Sequence, residues 1–340
     1  MNVLVNGAGN IGTTLASVLL KFRDVLSLEA VYVNKNRPRP WTKPDLDLLS
    51  HHGAEICSPD PASGYPPFSE VIAGIDYVFD CTADGIATSN LEFYRSLENL
   101  TDIAASAQGS EKSFGTPFMT GVNPAEIASR KFVNIVSCNT HASVSILKTL
   151  AGDDLSNLEN ADFVIVRRSD DIGSHERLVG ANVVARHRDP LHGTHPGVDI
   201  VDLLNRIGIR APIRVSGITT PSQLMHAVRF NIGLKNPVAE SEIYNSIRNN
   251  PLVSITDKFD SNVVFDLGRR YGFHGRIYSH CIFVMNNLLI DRSEIAGWAF
   301  IPQEGNTILS TIDSFLLQTG NSNRDPAFER IRSELISPEW

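Results

Sequence analysis

The chain has 340 residues, enough for two domains and a sizeable core, and its 42% hydrophobic and 20% charged content is that of an ordinary globular protein. A net charge of −8 with no Lys/Arg block gives nucleic acid no electrostatic footprint, and no apolar run of about 18 residues is present to span a membrane. Cys57, Cys81, Cys138 and Cys281 stand far apart without metal-ligand spacing, which argues for a reducing cytosol and against a disulfide framework or structural zinc.

The chain opens directly in a strand, without the basic-then-apolar layout of a signal peptide, so a cytoplasmic location is expected. Up to residue 140, short apolar strands alternate with helical patterns, the signature of a parallel sheet wrapped by helices. Strands are predicted at 3–6, 28–33, 77–80, 102–105 and 133–137, and helices at 11–22 and 86–97. The segment 36–67 is rich in proline and polar residues and reads as a surface excursion with one helix at 44–50. Near residue 160 the texture changes. Longer alternating strands are predicted at 161–167, 181–186, 213–219, 226–232, 281–285 and 287–289, with helices at 197–207, 239–249 and 263–271. An amphipathic stretch at 308–317 packs back onto the first domain, and the polar tail after Asn321 is expected to be partly loose. The expected class is α/β. A Rossmann dinucleotide-binding domain spans 1–138, with a C-terminal helix at about 305–340 packed onto it. An α+β catalytic domain with a mostly antiparallel sheet spans 139–304.

Gly7-Ala8-Gly9-Asn10-Ile11-Gly12 follows the first strand and opens the first helix. Its glycines serve the tight turn, the approach of backbone to a pyrophosphate, and close helix–strand packing. An NAD-only site usually ends its second strand in Asp or Glu, which binds the ribose 2′-hydroxyl. Here that strand ends Val33-Asn34-Lys35-Asn36-Arg37. With no carboxylate to repel a 2′-phosphate and two cations beside it, NADP is favoured. Asn34 still allows NAD, and Lys35 and Arg37 can equally be read as solvated loop charges.

Phe132-Val133-Asn134-Ile135-Val136-Ser137-Cys138 reads as a buried strand ending at a cysteine, and a helical pattern follows at once (Val144, Leu147, Leu150). A thiol there sees unpaired helix N–H groups and the positive dipole end, which favour thiolate. An ordinary thiol, with a pKa near 8.5, is only a few per cent ionised at pH 7. A neighbouring imidazole would help, and His141, His175, His187, His192, His195 and His226 are candidates. His226 stands out at the head of an alternating strand (Val228, Phe230, Ile232), where its ring can project into a cleft. Arg167-Arg168 ends another strand, and paired guanidinium groups suit a phosphate or carboxylate, or else form a surface salt-bridge cluster.

Nine segments in order resemble the type II glyceraldehyde-3-phosphate dehydrogenases first associated with archaea. They are Asn6-Gly7-Ala8-Gly9-Asn10-Ile11-Gly12; Val33-Asn34-Lys35-Asn36-Arg37-Pro38; Asp80-Cys81-Thr82-Ala83-Asp84-Gly85-Ile86; Ala107-Gln108-Gly109-Ser110-Glu111-Lys112; and Ser137-Cys138-Asn139-Thr140. The rest are Val166-Arg167-Arg168, Thr194-His195 through Asp199-Ile200, Leu224-Met225-His226, and Gln303-Glu304. The resemblance implies phosphorylating oxidation of an aldehyde with NADP or NAD. Cys138 is the nucleophile that forms a thioester, His226 the general base, and inorganic phosphate the group that releases an acyl phosphate. It adds Thr82, Gln108, Gly109 and Gln303 to the cofactor site. It assigns substrate or phosphate binding to Ser137, Asn139, Thr140, His141, Arg167, Arg168 and His195, and it implies a homotetramer.

The chain departs from that pattern beside the nucleophile, where Thr-Gly-Leu is usual and His141-Ala142-Ser143 stands instead. Ser169-Asp170 is a milder change. His141 can supply a protonatable phosphate contact or narrow the pocket for another aldehyde. Glyceraldehyde 3-phosphate is the favoured substrate. The alternatives are the same chemistry on a different aldehyde or semialdehyde, and a catalytically inactive nucleotide-binding interaction protein. A simple hydroxyl dehydrogenase has no need of this cysteine.

Overall fold

A computed structural model of the chain describes residues 1–97, 103–109, 111–169 and 180–340. The predicted strand start at Asp102, together with Ser110, Asp170 and His175, lies outside the described residues. The chain divides into one unit of Met1–Val136 with Ile308–Ile331, and a second of Ser137–Thr307 with Arg332–Trp340.

Seven strands form the first unit's sheet: β1 (Asn2–Asn6), β2 (Ala30–Asn34), β3 (Glu55–Cys57), β4 (Tyr77–Asp80), β5 (Ala104–Gln108), β6 (Thr116–Phe118) and β7 (Phe132–Ile135). Their order is β3-β2-β1-β4-β5-β7-β6 and every pairing is parallel. Parallel neighbours need crossovers, which α1 (Asn10–Lys21), α2 (Lys43–His51), α3 (Phe68–Val71), α4 (Ile86–Leu97) and α5 (Pro124–Ile127) help to supply. The strands are apolar without alternation because both faces are covered: Val3, Leu4 and Val5 are all fully buried. Strand order reverses between β1 and β4, the switch point at which doubly wound sheets bind ligands. Strand β3 sits inside the stretch read as a surface excursion. Three residues at a sheet edge carry too little periodicity to be seen in sequence.

The second unit begins with α6 (Cys138–Ala151) and continues through β8 (Leu158–Arg168), β9 (Val183–Val184), α7 (His195–Arg206), β10 (Ile213–Thr220) and β11 (His226–Leu234). It goes on through α8 (Glu240–Asn249), β12 (Ser254–Thr256), α9 (Ser261–Tyr271), β13 (Ile282–Val284), β14 (Leu289–Asp291) and β15 (Glu294–Ile301). The sheet runs β12-β13-β15-β11-β8-β10-β9, with β14 on β15. Only the β8/β10 and β12/β13 pairings are parallel among the described residues, so the sheet is mostly antiparallel. Along β11, Val228, Phe230 and Ile232 are fully buried, as the alternation predicted. In this unit sequence reasoning missed the strands β12 and β15. In β15, Ala296, Gly297 and Ala299 carry so little side chain that the period-two signal is weak.

The C-terminal segment packs onto the first unit at 308–318 as expected and departs from expectation only in its tail. Helix α10 (Ile308–Gln318) is buried in the first unit, where Phe315 meets Tyr77 edge-on at 5.0 Å and the Tyr77 hydroxyl donates to Gln318 Oε1 at 2.6 Å. The tail is ordered as α11 (Arg324–Leu335), and its last residues add to the second unit. There the Trp340 N–H donates to the Ile255 carbonyl at 3.0 Å, and its ring packs beside the core of Met225, Val264, Ile277, Ile282, Val284 and Phe300. No helix among the described residues is long and apolar enough to cross a membrane.

Candidate active site and dinucleotide turn

In the first unit, the glycine-rich turn has the shape its sequence calls for. Gly7 has φ +107°, open to glycine at no steric cost, and a Cβ there would sit 2.7 Å from the Cys81 carbonyl oxygen. A Cβ on Gly12 would lie 1.8 Å from the Gly7 carbonyl oxygen, so helix and turn pack too closely for any side chain. Gly9 is different: nothing lies within 4 Å of its Cβ position. Helix α1 starts at Asn10 with Gly9 as its N-cap, no capping side chain and no acidic residue in its first turn. Its N–H groups and dipole therefore suit an anion. The residues fit a dinucleotide pyrophosphate.

A buried polar network shapes the surroundings. Asn34, 2% exposed, faces inward, and its Nδ2 donates to Asn6 Oδ1 at 2.7 Å and to Asn36 Oδ1 at 3.0 Å. Asn6 donates to the Tyr94 hydroxyl, which donates to Asp80 Oδ2, both at 2.6 Å. Asp80 also accepts from the Thr82 N–H at 3.0 Å, fixing the loop after β4. Glu111 accepts from the N–H groups of Gly85 and Thr88 at the start of α4. Sequence reasoning gave neither carboxylate a role. Lys35 is half-buried and donates to the Ala8 carbonyl at 3.0 Å, and burial pushes its pKa down. Its charge thus lies on the glycine turn, while Arg37 is exposed beyond the strand. Gln108 donates to Thr311, and Gly109 takes φ +85°.

In the second unit, Cys138 is the first residue of α6 and is partly exposed. Ser137 caps the helix, its Oγ accepting from the Thr140 N–H at 3.3 Å and lying 3.0 Å from Thr140 Oγ1. His226, at the head of β11, has Nδ1 3.2 Å from Asn139 Oδ1. Burial first, then the charges of Arg168 and Arg167, lower its pKa to about 3, so the ring is neutral near pH 7. Gln303 supports this strand: its Oε1 accepts from the His226 N–H at 3.2 Å and its Nε2 donates to the Leu224 carbonyl at 3.3 Å. The sequence reading put Gln303 at the cofactor; the structure ties both ends of its amide to the backbone around His226.

The two arginines part company. Arg167 Nε and Nη2 are buried without a hydrogen-bond partner among the described residues. Burial lowers its pKa, the Cys138 charge acts in the opposite sense, and Arg188 adds to the lowering. Donors left in that state call for an anion. Arg168, 5% exposed, instead donates to Glu304 Oε1 at 3.0 Å and to the Leu224 carbonyl at 3.1 Å. Arg276 lies 3.1 Å from the other Glu304 oxygen, so Glu304 is held between two cations. Of the two arginines expected at phosphate, Arg168 is engaged in a buried ion pair through its guanidinium.

Of the other residues expected at the substrate, His141 and Thr140 are both fully buried. Long side chains on a helix lean back toward its N-terminus, and the His141 ring accordingly reaches the Ser137 carbonyl at 3.1 Å. Ser137 is half-buried, and His195 is half-buried at the start of α7, a helix packed on α6. His187 and His192 lie elsewhere, His187 Nε2 being 3.3 Å from Ser216 Oγ and His192 Nδ1 2.9 Å from the Ile213 carbonyl oxygen. No group of three or more His, Cys, Asp or Glu that could hold a metal occurs among the described residues.

A parallel doubly wound sheet with a glycine-rich first turn, followed by a mixed-sheet unit opening on a cysteine at a helix start, defines a Rossmann-type α/β protein. Its curated relatives are narrower still. A protein named glyceraldehyde-3-phosphate dehydrogenase from Methanoregula boonei is 24% identical over 357 residues, covering 99% of this chain and 97% of its own. Proteins of the same name from Saccharolobus solfataricus and Saccharolobus islandicus (strain M.16.27) are 27% and 26% identical, each covering 78% of this chain and 76% of theirs. No family model matches the chain. The chain is a homologue of archaeal proteins named glyceraldehyde-3-phosphate dehydrogenase.

Proposed function

We propose that the protein is a phosphorylating NAD(P)-dependent aldehyde dehydrogenase, with glyceraldehyde 3-phosphate its favoured substrate. Kinship with proteins of that name supports an oxidoreductase using a nicotinamide dinucleotide. The observation that carries the finer reading is the grouping of Cys138, His226 and Arg167. A partly exposed thiol at a helix start lies within electrostatic reach of the Arg167 guanidinium, whose Nε and Nη2 are buried without a hydrogen-bond partner among the described residues, beside a neutral imidazole.

The dinucleotide is held by Gly7, Gly9 and the first turn of α1, with Lys35 and Arg37 beside the 2′-position, so NADP is favoured and NAD admitted. When bound, the nicotinamide supplies the hydride acceptor. The Cys138 thiolate attacks the aldehyde carbon, the C=O π electrons move to oxygen, and the oxyanion, received by backbone N–H groups at the start of α6, takes a proton from solvent to give a thiohemiacetal. Asn139 holds the Nδ1 proton of His226, so Nε2 accepts the hydroxyl proton as the carbon is oxidised to a thioester. Arg167 holds phosphate oxygens. Inorganic phosphate then attacks the thioester, the C–S bond breaks, and an acyl phosphate leaves with the Cys138 thiolate restored. The burial of His141 supports glyceraldehyde 3-phosphate over a different aldehyde. A homotetramer belongs to the same reading through the resemblance alone.

Steady-state reduction of NADP with glyceraldehyde 3-phosphate tests it. The rate should depend on inorganic phosphate. Sustained turnover of equal rate without phosphate would contradict the phosphorylating reaction.

A further inference from the structure

Beneath the cysteine lies a buried polar group that the reaction above does not use: His141, His280 and Asn306, each 0% exposed. The Ser137 carbonyl already accepts the His141 N–H at 2.9 Å, and His141 Nδ1 approaches the same oxygen at 3.1 Å. A carbonyl only accepts, so Nδ1 carries the proton and donates. The His141 ring meets the His280 ring edge to face, centroids 5.1 Å apart, and His280 Nδ1 lies 2.7 Å from Ser145 Oγ. Asn306 Nδ2 donates at 3.0 Å to the Cys138 carbonyl and at 3.0 Å to the His280 carbonyl. The contacts close on themselves: Ser137 carbonyl, His141, His280, Asn306, Cys138 carbonyl.

Each gripped carbonyl shares a rigid plane with an N–H. The Ser137 carbonyl belongs to the peptide unit of the Cys138 N–H, and the Cys138 carbonyl to that of the Asn139 N–H. Those two N–H groups stand in the first turn of α6, where helix geometry supplies no intrahelical acceptor. The arrangement is costly. His280 Nε2 and Asn306 Oδ1 are buried without partners among the described residues, and an apolar core of the same shape avoids that penalty. We propose that His141, His280 and Asn306 are positioning residues that fix the two peptide planes flanking Cys138, aiming their N–H groups at the thiolate and at the oxyanion. The role in turnover rests on the function proposed above; the role toward the thiolate does not.

Alkylation of Cys138 by iodoacetamide, followed by peptide mass against pH without substrate or cofactor, reads the thiolate directly. His141→Leu and Asn306→Leu should raise the midpoint by about half a unit or more, and Asn306→Asp, which keeps the shape but removes the donor, should do likewise. In turnover, the leucine variants should lose about tenfold in kcat with KM unchanged. His141→Asn, whose amide N–H can reach the same carbonyl, should stay within about twofold of the parent in kcat. Unchanged midpoints in the leucine and aspartate variants, with only a lower Tm, would overturn the proposal. Should a leucine variant fail to fold, Asn306→Asp and His141→Asn decide. If no form oxidises any aldehyde, the proposed function fails while the alkylation midpoints still test this inference.

Discussion

His226 Nδ1 lies 3.2 Å from Oδ1 of Asn139, the residue directly after the cysteine. An amide oxygen can only accept, so this contact assigns the proton to Nδ1 and leaves Nε2 as the acceptor. Helix α6 thereby places the proposed nucleophile and the group that orients the proposed base on consecutive residues.

His226→Ala should lower kcat by about 10²- to 10⁴-fold, and Asn139→Ala by less, through loss of the tautomer. Stability has a pH signature as well. The folded pKa of about 3 lies below the ordinary 6.5, so the unfolded chain takes up a proton on His226 first as pH falls. That contribution to stability is present above pH 6.5 and is lost as pH falls toward 3. Denaturation midpoints between these pH values should fall less steeply in His226→Ala than in the parent; equal slopes would place the acid sensitivity elsewhere.

Arg167 and Arg168 are neighbours with opposite expectations. Arg167→Gln should weaken binding of substrate and phosphate about tenfold or more and raise the alkylation midpoint of Cys138, with little change in Tm. Arg168→Gln leaves Glu304 buried with one cation fewer and should cost about 3–5 kcal/mol in urea unfolding. The reverse pattern would mean that Arg168 is the anion receptor.

The glycine turn separates folding from binding. Gly12→Ala has no room for its methyl group and should destabilise the first unit, whereas Gly9→Ala has open space and should fold normally. Gly9→Ala should nonetheless lose dinucleotide affinity, because its Cβ occupies the space in which the pyrophosphate approaches. Calorimetry of NADP binding checks this; undiminished affinity would move the cofactor off this turn.

Lys35 is the more informative residue for cofactor choice. Asn34→Asp would remove the donor that Asn34 gives Asn6 and Asn36, so it would disturb folding as well as selectivity. Lys35→Met should weaken NADP about tenfold, equal to about 1.4 kcal/mol, and leave NAD within about twofold. Equal loss for both would show that the ammonium merely braces the turn.

What the sequence disclosed follows from how local the information is. β4 and α4 appear where periodicity put them, at 77–80 and 86–97, because a buried apolar run and a helical stripe are both written in adjacent residues. The start of α6 was legible for the same reason, as the apolar run to Val136 gives way at once to the helical stripe of Val144, Leu147 and Leu150. β15 was hidden by its alanines and glycine, and β3 by its brevity. The burial of His141 was not legible, because adjacency to Cys138 in the chain says nothing of which way a helical side chain leans. The engagement of Arg168 with Glu304 and of Cys138 with Asn306 joins residues 136 and 168 positions apart, for which the chain carries no local signal.

Intact-mass spectrometry of the enzyme mixed with NADP and glyceraldehyde 3-phosphate, without inorganic phosphate, reads the central step most directly. The account predicts a phosphoglyceroyl adduct on Cys138 that disappears when phosphate is added and never forms in Cys138→Ser. Turnover with no adduct, or an adduct that persists in Cys138→Ser, would contradict it.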